Sequence, residues 1–475
     1  MSVTPAYNKL NMFSKEVYQQ RRQRLCELLP DSFLLFVGNA EEPFNYAGNT
    51  YSFRQDSTFL YLFGIDSPNY AATIDTATGN VTIYADDVTL DDTIWTGELP
   101  SVAVVASLVG VVTTKPSSAL AEDVKCVMKY RRVHYVPASR ASSVQKIASI
   151  LGLQTTAVNE YVSEPLIKSL VSMRSVKEQC EIEELENYMH VGYDMHVSAM
   201  KMAREGNSEQ VIRSVIDYMS LRNGGHVSFP TICTVHGEIL HNSPTTQVLK
   251  NGDLLLVDAG SESPLHYATD NTRTTPVGGH FSQQQREIYN IVLNANNAVA
   301  SAVRPGVFYR DMHLLAMRTI VDGLSQLGIM KGNIDDAVAN GAYALFCPHG
   351  VGHMLGLDVH DMEGYGENYV GYDEEVQRST QFGFSALRMA RRLQAGFIVT
   401  DEPGIYFIPA LIDKWQAEGI CKDFINYEKL HTYRNFGGIR LEDDLLITPN
   451  GGRVLGQRIP INPNEVESIV CNANK

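Results

Sequence analysis

From Leu254 to Val257 the chain carries four apolar residues in a row and then an acid, Asp258, followed by Ala259 and Gly260. Such a run fits a buried strand, so the sequence delivers a carboxylate to the end of an interior element. An ionised group in that position needs compensation, because burying an unpaired charge is very costly. Asp270 follows twelve positions later (270 − 258 = 12), a distance that suits two strands joined by a hairpin through Ser263, Pro264 and Leu265. Two carboxylates brought together repel unless a cation lies between them or one is protonated. An aspartate at a strand-turn junction is also a common structural cap, so the pair alone leaves both readings open.

The 475 residues exceed what one hydrophobic core organises, which predicts two domains, 1–172 and 173–475. With 39 basic and 54 acidic side chains the formal charge is −15, which opposes general affinity for nucleic acid. Arg21, Arg22 and Arg24 have helical spacing, as do Arg388, Arg391 and Arg392, and each group reads as a solvated helix face. Seven scattered cysteines, never spaced as CxxC, suggest reduced thiols in a cytoplasmic chain. Met1–Phe13 has polar residues throughout and no apolar core flanked by a cleavage site, so it does not read as a secretory signal. Leu99–Thr114 is valine-rich but too short to span a bilayer as a helix, so no membrane association is expected; it reads as a buried strand or a helix-strand pair.

The first third alternates elements in the manner of an α/β domain. A helix is predicted over 16–28, a strand over 33–37, alternating aromatic and polar residues over 53–63, strands near 82–85 and 134–136, and a helix over 143–151. Asp56, Asp86, Asp87, Asp91 and Asp92 have no histidine nearby and read as turn and cap residues. Ser175 with Glu178 forms a possible capping box near the domain boundary, opening a long helix whose apolar face holds Ile182, Leu185, Met189, Tyr193 and Met200, with Gly206 as terminator. A second helix is predicted over 209–221.

Beyond that point chemistry-bearing residues concentrate. Cys347–Asp361 reads CPHGVGHMLGLDVHD, with His349, His353 and His360 within twelve residues of a chain that has thirteen histidines. Gly350, Gly352 and Gly356 allow close backbone approach. Stacked core histidines are the alternative to ligands here. Glu402 follows the apolar run Phe397–Thr400 in FIVTDEPGIY, and Glu442 stands in GGIRLEDDLLIT. Strand alternation puts Arg440 and Glu442 on one face, so a buried Glu442 has either an arginine or a metal to compensate it. Four carboxylates and an imidazole form a hard, oxygen-rich donor set, suited to divalent ions of the manganese kind, with cobalt, zinc or iron also admissible.

Taken in order, DAG with Asp258, DNTRT with Asp270, HGVGH with His353, DEPG with Glu402 and GIRLEDD with Glu442 resemble the metallopeptidase family of aminopeptidase P, prolidase and methionine aminopeptidase. The resemblance covers Ser175 to about Asn450. It implies a pita-bread α/β catalytic fold, and YSFRQDSTFLYLF, from Tyr51 to Phe63, is similar to the amino-terminal domain of aminopeptidase P. The resemblance further implies two metal ions: Asp258 on one, Asp270 and Glu442 bridging, His353 and Glu402 completing the second. Glu402 is then also a proton shuttle, His241 in EILHNS stabilises the tetrahedral intermediate, His360 contacts substrate near the scissile bond, and His349 belongs to the pocket.

The implied reaction is removal of the N-terminal residue from peptides with proline second, by attack of a hydroxide held between the ions. Alternatives are an Xaa-Pro dipeptidase, a prolidase, and a non-catalytic peptide-binding module on the same fold. The resemblance also implies a homodimer or homotetramer. Two features depart from the commonest family pattern: the Asp258 to Asp270 interval is one residue longer than usual, and Asp401 precedes Glu402, where alternation should direct it away from the metals. Gly364–Thr380 and Phe407–Tyr433 look inserted, either as a rim of the substrate pocket or as surface elaboration.

Overall fold

The apolar run Phe33–Val37 is a strand as expected, and the first of the two compact units of the chain is built around it. The computed structural model describes residues 11–473, so most of the polar Met1–Phe13 segment lies outside the described residues. The chain divides between Met173 and Arg174. In the first unit five strands lie in the order 113–115, 80–84, 71–75, 33–37, 133–134. The inner pairings are antiparallel and both edge pairings are parallel. Helices Lys15–Leu28, Val102–Leu108, Leu120–Met128 and Ala141–Leu151 accompany them, so Leu99–Thr114 is the helix-strand pair. Asp56, Asp87 and Asp92 accept from backbone N–H groups at helix starts, and Asp86 accepts from Ser117 N–H.

Two expectations fail in this unit for physical reasons. The aromatic-polar alternation over 53–63 gives way to a helix, Ser57–Phe63, capped by Asp56 and stopped at Gly64 with φ 62°. Every residue of that helix is buried, so the alternation had no solvent face to report. Arg21 and Arg22 are not solvated: they are buried and donate to the Tyr61 and Leu62 carbonyls at 3.0 and 2.8 Å, and Arg22 donates also to the Val109 carbonyl. They serve the last carbonyls of the short helix, which have no partner within it. Burial lowers the Arg22 pKa to about 10.

In the second unit the long helix is Gln179–Met202. Its capping box is Glu178 with Glu181 rather than Ser175 with Glu178, because Ser175 still ends the preceding helix, Glu164–Ser175. Both pairs have the same three-residue spacing, and spacing alone could not choose between them. Leu185, Met189 and Met200 are buried as expected, Ile182 and Tyr193 only half so, and the helix stops at Met202, before Gly206. It packs with Glu209–Arg222 on one side of the antiparallel sheet 271–276, 254–259, 232–234. Leu255, Val257 and Ala259 face this helix layer together with Val191, Met195 and Ile216. Period-two alternation therefore turns Leu254, Leu256 and Asp258 to the opposite face.

A second antiparallel sheet, 398–401, 443–448, 451–454, meets the first through the Thr272–Glu442 bridge, and the pair Gly404–Tyr406 with Gly438–Arg440 lies alongside. Helices Gln283–Ala302 and Tyr309–Gln326 pack against each other in the same unit. Arg388, Arg391 and Arg392 lie in irregular chain, not on a helix. Arg391 and Arg392 rest over the Phe397 and Phe308 rings at 5.0 and 4.0 Å. No helix among the described residues is long and apolar enough to cross a membrane.

Candidate metal centre

Asp258 sits at the end of its strand opposite Thr272, and Asp270 precedes the partner strand by one residue, so the hairpin places the two carboxylates together as its length suggested. Within the turn Ser261 and Glu262 pair with Val227 and His226. From behind, His196 on the long helix bonds the Ala259 carbonyl at 3.2 Å and fixes the end of the strand. Its ring has a pKa lowered to about 4 by burial, so it donates as the neutral imidazole.

Glu442 is brought to the same place by the Thr272 bridge. Its N–H donates to the Thr272 carbonyl at 3.0 Å, and the Thr272 hydroxyl donates to its Oε2 at 2.7 Å. His353 arrives on the glycine-rich segment, which lies against Ile398–Asp401: the His353 N–H donates to Thr400 Oγ1 at 3.1 Å, and the Thr400 N–H to the His353 carbonyl at 3.0 Å. That closeness requires Gly352, where a Cβ would stand 2.0 Å from the Thr400 carbonyl oxygen. Nδ1 of His353 faces the Met354 carbonyl at 3.0 Å. A carbonyl only accepts, so Nδ1 carries the proton and Nε2 presents its lone pair to the site.

Asp270, His353 and Glu442 each offer a donor atom, all within 4.8 Å of one another. His353 Nε2 is 3.3 Å from Asp270 Oδ2 and 3.8 Å from Glu402 Oε1. Glu402 follows its strand and is held by its N–H to the Val351 carbonyl at 2.8 Å. Asp258 does not join the tight group of three: its Oδ2 accepts from Arg440 at 2.5 Å, while its buried Oδ1 has no hydrogen-bond partner among the described residues. All five expected ligands nevertheless line one cavity of about 820 Å³.

The electrostatics test whether divalent ions fit. Burial, and next the charge of Asp258, push the Asp270 pKa well above the carboxylate range; burial and then Asp270 do the same to Glu442. Burial raises Glu402 to about 7. Several carboxylates thus resist ionisation together, next to a neutral imidazole and an unpartnered carboxylate oxygen. This is the arrangement that cations relieve, and hard oxygen donors with one imidazole suit divalent ions.

His241, His349 and His360 line the same cavity. His349 uses both ring nitrogens, Nδ1 on the Gly350 carbonyl at 2.8 Å and Nε2 on the Tyr406 hydroxyl at 3.0 Å, and burial brings its pKa to about 4. It is thus bonded to backbone and to a tyrosine while still lining the cavity. His360 lies with its ring centroid 4.0 Å from that of His353 and gives its Nδ1 proton to Glu363 at 2.5 Å. Asp401 is fully buried opposite Asp443 and is absent from the cavity wall. The wall also contains nothing from 364–380 or 407–433, so neither inserted stretch forms its lining.

Sequence reasoning missed Tyr406 and the place of Arg388 in the cavity wall, and of the two partners it offered Glu442, Arg440 is engaged elsewhere. Arg440 Nη1 donates to the Tyr406 hydroxyl at 3.0 Å, Nε to Thr272 Oγ1 at 3.1 Å, and Nη2 to Asp258, so it compensates Asp258 rather than Glu442. The signal for Tyr406 was its place in DEPGIYF, where alternation from Glu402 puts it on the same face. Arg388 had no such signal.

Comparison with known proteins fits this geometry. Residues 183–449 match Metallopeptidase family M24, and residues 18–135 match the Aminopeptidase P, N-terminal domain. The chain is 32% identical to Xaa-Pro dipeptidase of Homo sapiens over 97% of this chain and 94% of that protein. It is 32% identical to a protein named probable Xaa-Pro aminopeptidase from Colletotrichum graminicola, over 88% of this chain and 87% of that one. Among solved structures, aminopeptidase P from E. coli with the inhibitor Pro-Leu superimposes with TM-score 0.80 at 29% identity, covering 98% of this chain and 100% of that one. Aminopeptidase PepP of Pseudomonas aeruginosa gives 0.81 at 26%, covering 98% and 99%. The chain is therefore a hydrolase of metallopeptidase family M24, with an aminopeptidase P-type N-terminal domain ahead of a pita-bread catalytic domain.

Proposed function

We propose that this enzyme is a divalent-metal-dependent aminopeptidase that releases the first residue of peptides whose second residue is proline. The observation that carries the reading is the convergence of Asp270, His353 and Glu442 donor atoms in one cavity that Asp258 and Glu402 also line. In this reading Asp258 would hold one ion, Asp270 and Glu442 would hold both, and His353 with Glu402 would hold the second. Manganese is the preferred pair, with cobalt, zinc or iron as substitutes. When bound, such ions supply a Lewis acid that polarises the scissile carbonyl and lowers the pKa of a water toward neutrality.

The chain's own residues do the rest. Glu402 takes a proton at a carboxylate oxygen and returns it to the leaving proline nitrogen. His241 donates to the oxygen that becomes anionic in the tetrahedral state, and His360 contacts substrate near the scissile bond. The Tyr406 hydroxyl, held by Arg440, keeps the His349 ring in place at the wall.

An Xaa-Pro dipeptidase is the second reading, favoured by the 97% coverage that the human, rat and mouse dipeptidases share with this chain. Turnover of Xaa-Pro-Xaa tripeptides and Xaa-Pro dipeptides by the purified, manganese-loaded protein separates the two. Tripeptide cleavage with release of the first residue is expected; cleavage of dipeptides alone would replace the first reading by the second. A reducing, cytoplasmic setting is supported by seven cysteines all present as free thiols, and a homodimer or homotetramer by the family resemblance.

A further inference from the structure

On the side of Asp258 the cavity wall comes from the strand paired with it. Ile232 is the register partner of Asp258 in that antiparallel pair, so the two side chains share one face of the sheet. With Phe229 and Leu240, Ile232 gives this part of the wall an apolar surface. The strand is the edge of its sheet, and a side chain from the helix Glu209–Arg222, Arg213, also reaches the cavity here. Its Nε donates to Asp217 at 2.8 Å, and Asp217 accepts in turn from the Thr231 hydroxyl at 2.7 Å. The guanidinium is thereby tied to the residue just ahead of Ile232.

Arg440, on the same cavity, engages all three of its guanidinium nitrogens within the protein. Arg213 does not. Its Nη1 and Nη2 have no hydrogen-bond partner among the described residues, and its side chain is 37% exposed. Asp217 thus fixes the group by one nitrogen and leaves the outer edge of the fork, the edge that receives a carboxylate through two parallel N–H···O bonds.

In the peptidase reading Glu402 returns its proton to the proline nitrogen, and Glu402 stands with His353, 3.8 Å from its Nε2. Proline and whatever follows it then belong to the His353 side of the scissile bond, and the first residue to the side of Asp258 and Ile232. The side chain of that first residue is laid along an apolar wall with a cation beside it, which matches the methylene stem and carboxylate of glutamate. The chain as a whole carries a formal charge of −15 and so disfavours an acidic substrate; a preference for one needs a local cation. We infer that Arg213 is a specificity-determining residue that receives an acidic side chain on the first residue of the substrate. This rests on the Xaa-Pro peptidase reading and names a substrate class within it.

The test reads kcat/KM of the manganese-loaded full-length protein on Glu-Pro-Leu and Gln-Pro-Leu, which differ only at the end of the first side chain. Both are measured on one preparation, so any loss of folded protein in a variant cancels from the ratio. Wild type is expected to favour Glu-Pro-Leu by about threefold, the scale of one partly exposed ion pair, with the difference carried by KM because the contact is remote from the bond that breaks. Arg213→Lys should keep part of the preference and Arg213→Gln should abolish it. Arg213→Glu should reverse it and raise turnover of Lys-Pro-Leu relative to Gln-Pro-Leu. Because the contact lies ahead of the scissile bond, the dipeptides Glu-Pro and Gln-Pro should show the same ratio, whichever length the enzyme prefers. A wild-type ratio of unity or below overturns the inference, as does a ratio unmoved by Arg213→Gln, the result of a guanidinium that only ties the helix to Thr231. A preference for Ala-Pro-Glu over Ala-Pro-Gln that Arg213→Gln removes would put the cation beyond the proline and overturn it equally. Wild-type protein inert toward every proline peptide would instead remove the peptidase reading, and this inference with it.

Discussion

Arg440 Nη2 lies 2.5 Å from Asp258 Oδ2, tying the residue two before Glu442 to the carboxylate that ends a different strand. One negative charge of the centre is therefore compensated by the protein itself, and in the proposed reading those of Asp270, Glu442 and Glu402 fall to the bound ions. The arrangement explains why Asp258 stands apart from the tight donor group while still lining the cavity.

Replacing Arg440 by methionine should expose that division. Breaking a buried ion pair from one side typically costs about 3–5 kcal/mol, because the surviving charge is left without a partner. We expect a loss of that order in the metal-free protein and a smaller loss with manganese bound, since an ion on Asp258 supplies the missing positive charge. Urea unfolding with and without the ion measures both, and equal losses would show that Asp258 does not reach the metal.

Asp270→Ala and Glu402→Gln should separate holding an ion from moving a proton. Asp270 lies in the tight donor group, so its removal should abolish activity and metal loading together. Glutamine at 402 keeps a carbonyl oxygen for an ion but cannot take a proton, so much of the metal should remain while kcat falls by about 10²- to 10⁴-fold. Metal analysis of the purified variants beside their kinetics is the measurement. Unchanged metal content in Asp270→Ala would contradict its bridging role.

The stability gained from bound ions should itself depend on pH. Burial raises Glu402 from 4.5 to about 7, and raises Asp270 and Glu442 well above the ordinary carboxylate range. A carboxyl with a raised native pKa holds its proton more firmly when folded, so its contribution is present at low pH and lost as pH climbs from about 4.5 through 7. His349, lowered from 6.5 to about 4, works the other way and loses its contribution as pH falls through that window. Divalent ions bind the deprotonated carboxylates. The rise in Tm on adding manganese should therefore grow steadily between pH 5 and pH 7.5, and a gain independent of pH would mean that these acids do not ligate.

What the sequence disclosed and concealed follows from how each residue is solvated. Asp258 was visible because an apolar run must end somewhere, and a charge at its end is conspicuous. The histidines were visible because three fall within one glycine-rich segment. Arg21 and Arg22 were misread because helical spacing looks the same whether a face meets water or the end of another helix, and their partners, the Tyr61 and Leu62 carbonyls, are backbone atoms that no residue type announces. Arg388, Arg391 and Arg392 have the three-four spacing of a helix face, yet their segment is irregular because Arg391 and Arg392 are laid over aromatic rings and Arg388 is drawn to Glu363 and Glu367. Spacing records neighbours along the chain, and these partners lie outside that range.

Gly352 offers the most local test of the centre, because it is the contact that lets the histidine segment lie on the strand leading to Glu402. A methyl group there would meet the Thr400 carbonyl at 2.0 Å and the Tyr309 hydroxyl at 2.7 Å, and both belong to fully buried chain. Neither neighbour is free to move: the Thr400 carbonyl accepts from the Tyr309 hydroxyl, and Thr400 is bonded to His353 through both its side-chain hydroxyl and its backbone N–H. The segment must lift instead, carrying His353 Nε2 away from Asp270. Gly352→Ala is expected to destabilise the protein by about 1–3 kcal/mol, the usual cost of overpacking an ordered interior, and to weaken manganese binding more than that loss alone predicts. Calorimetric titration with manganese, set beside the change in unfolding free energy, distinguishes the two effects; undiminished affinity would show that His353 reaches its place without the close approach at Gly352.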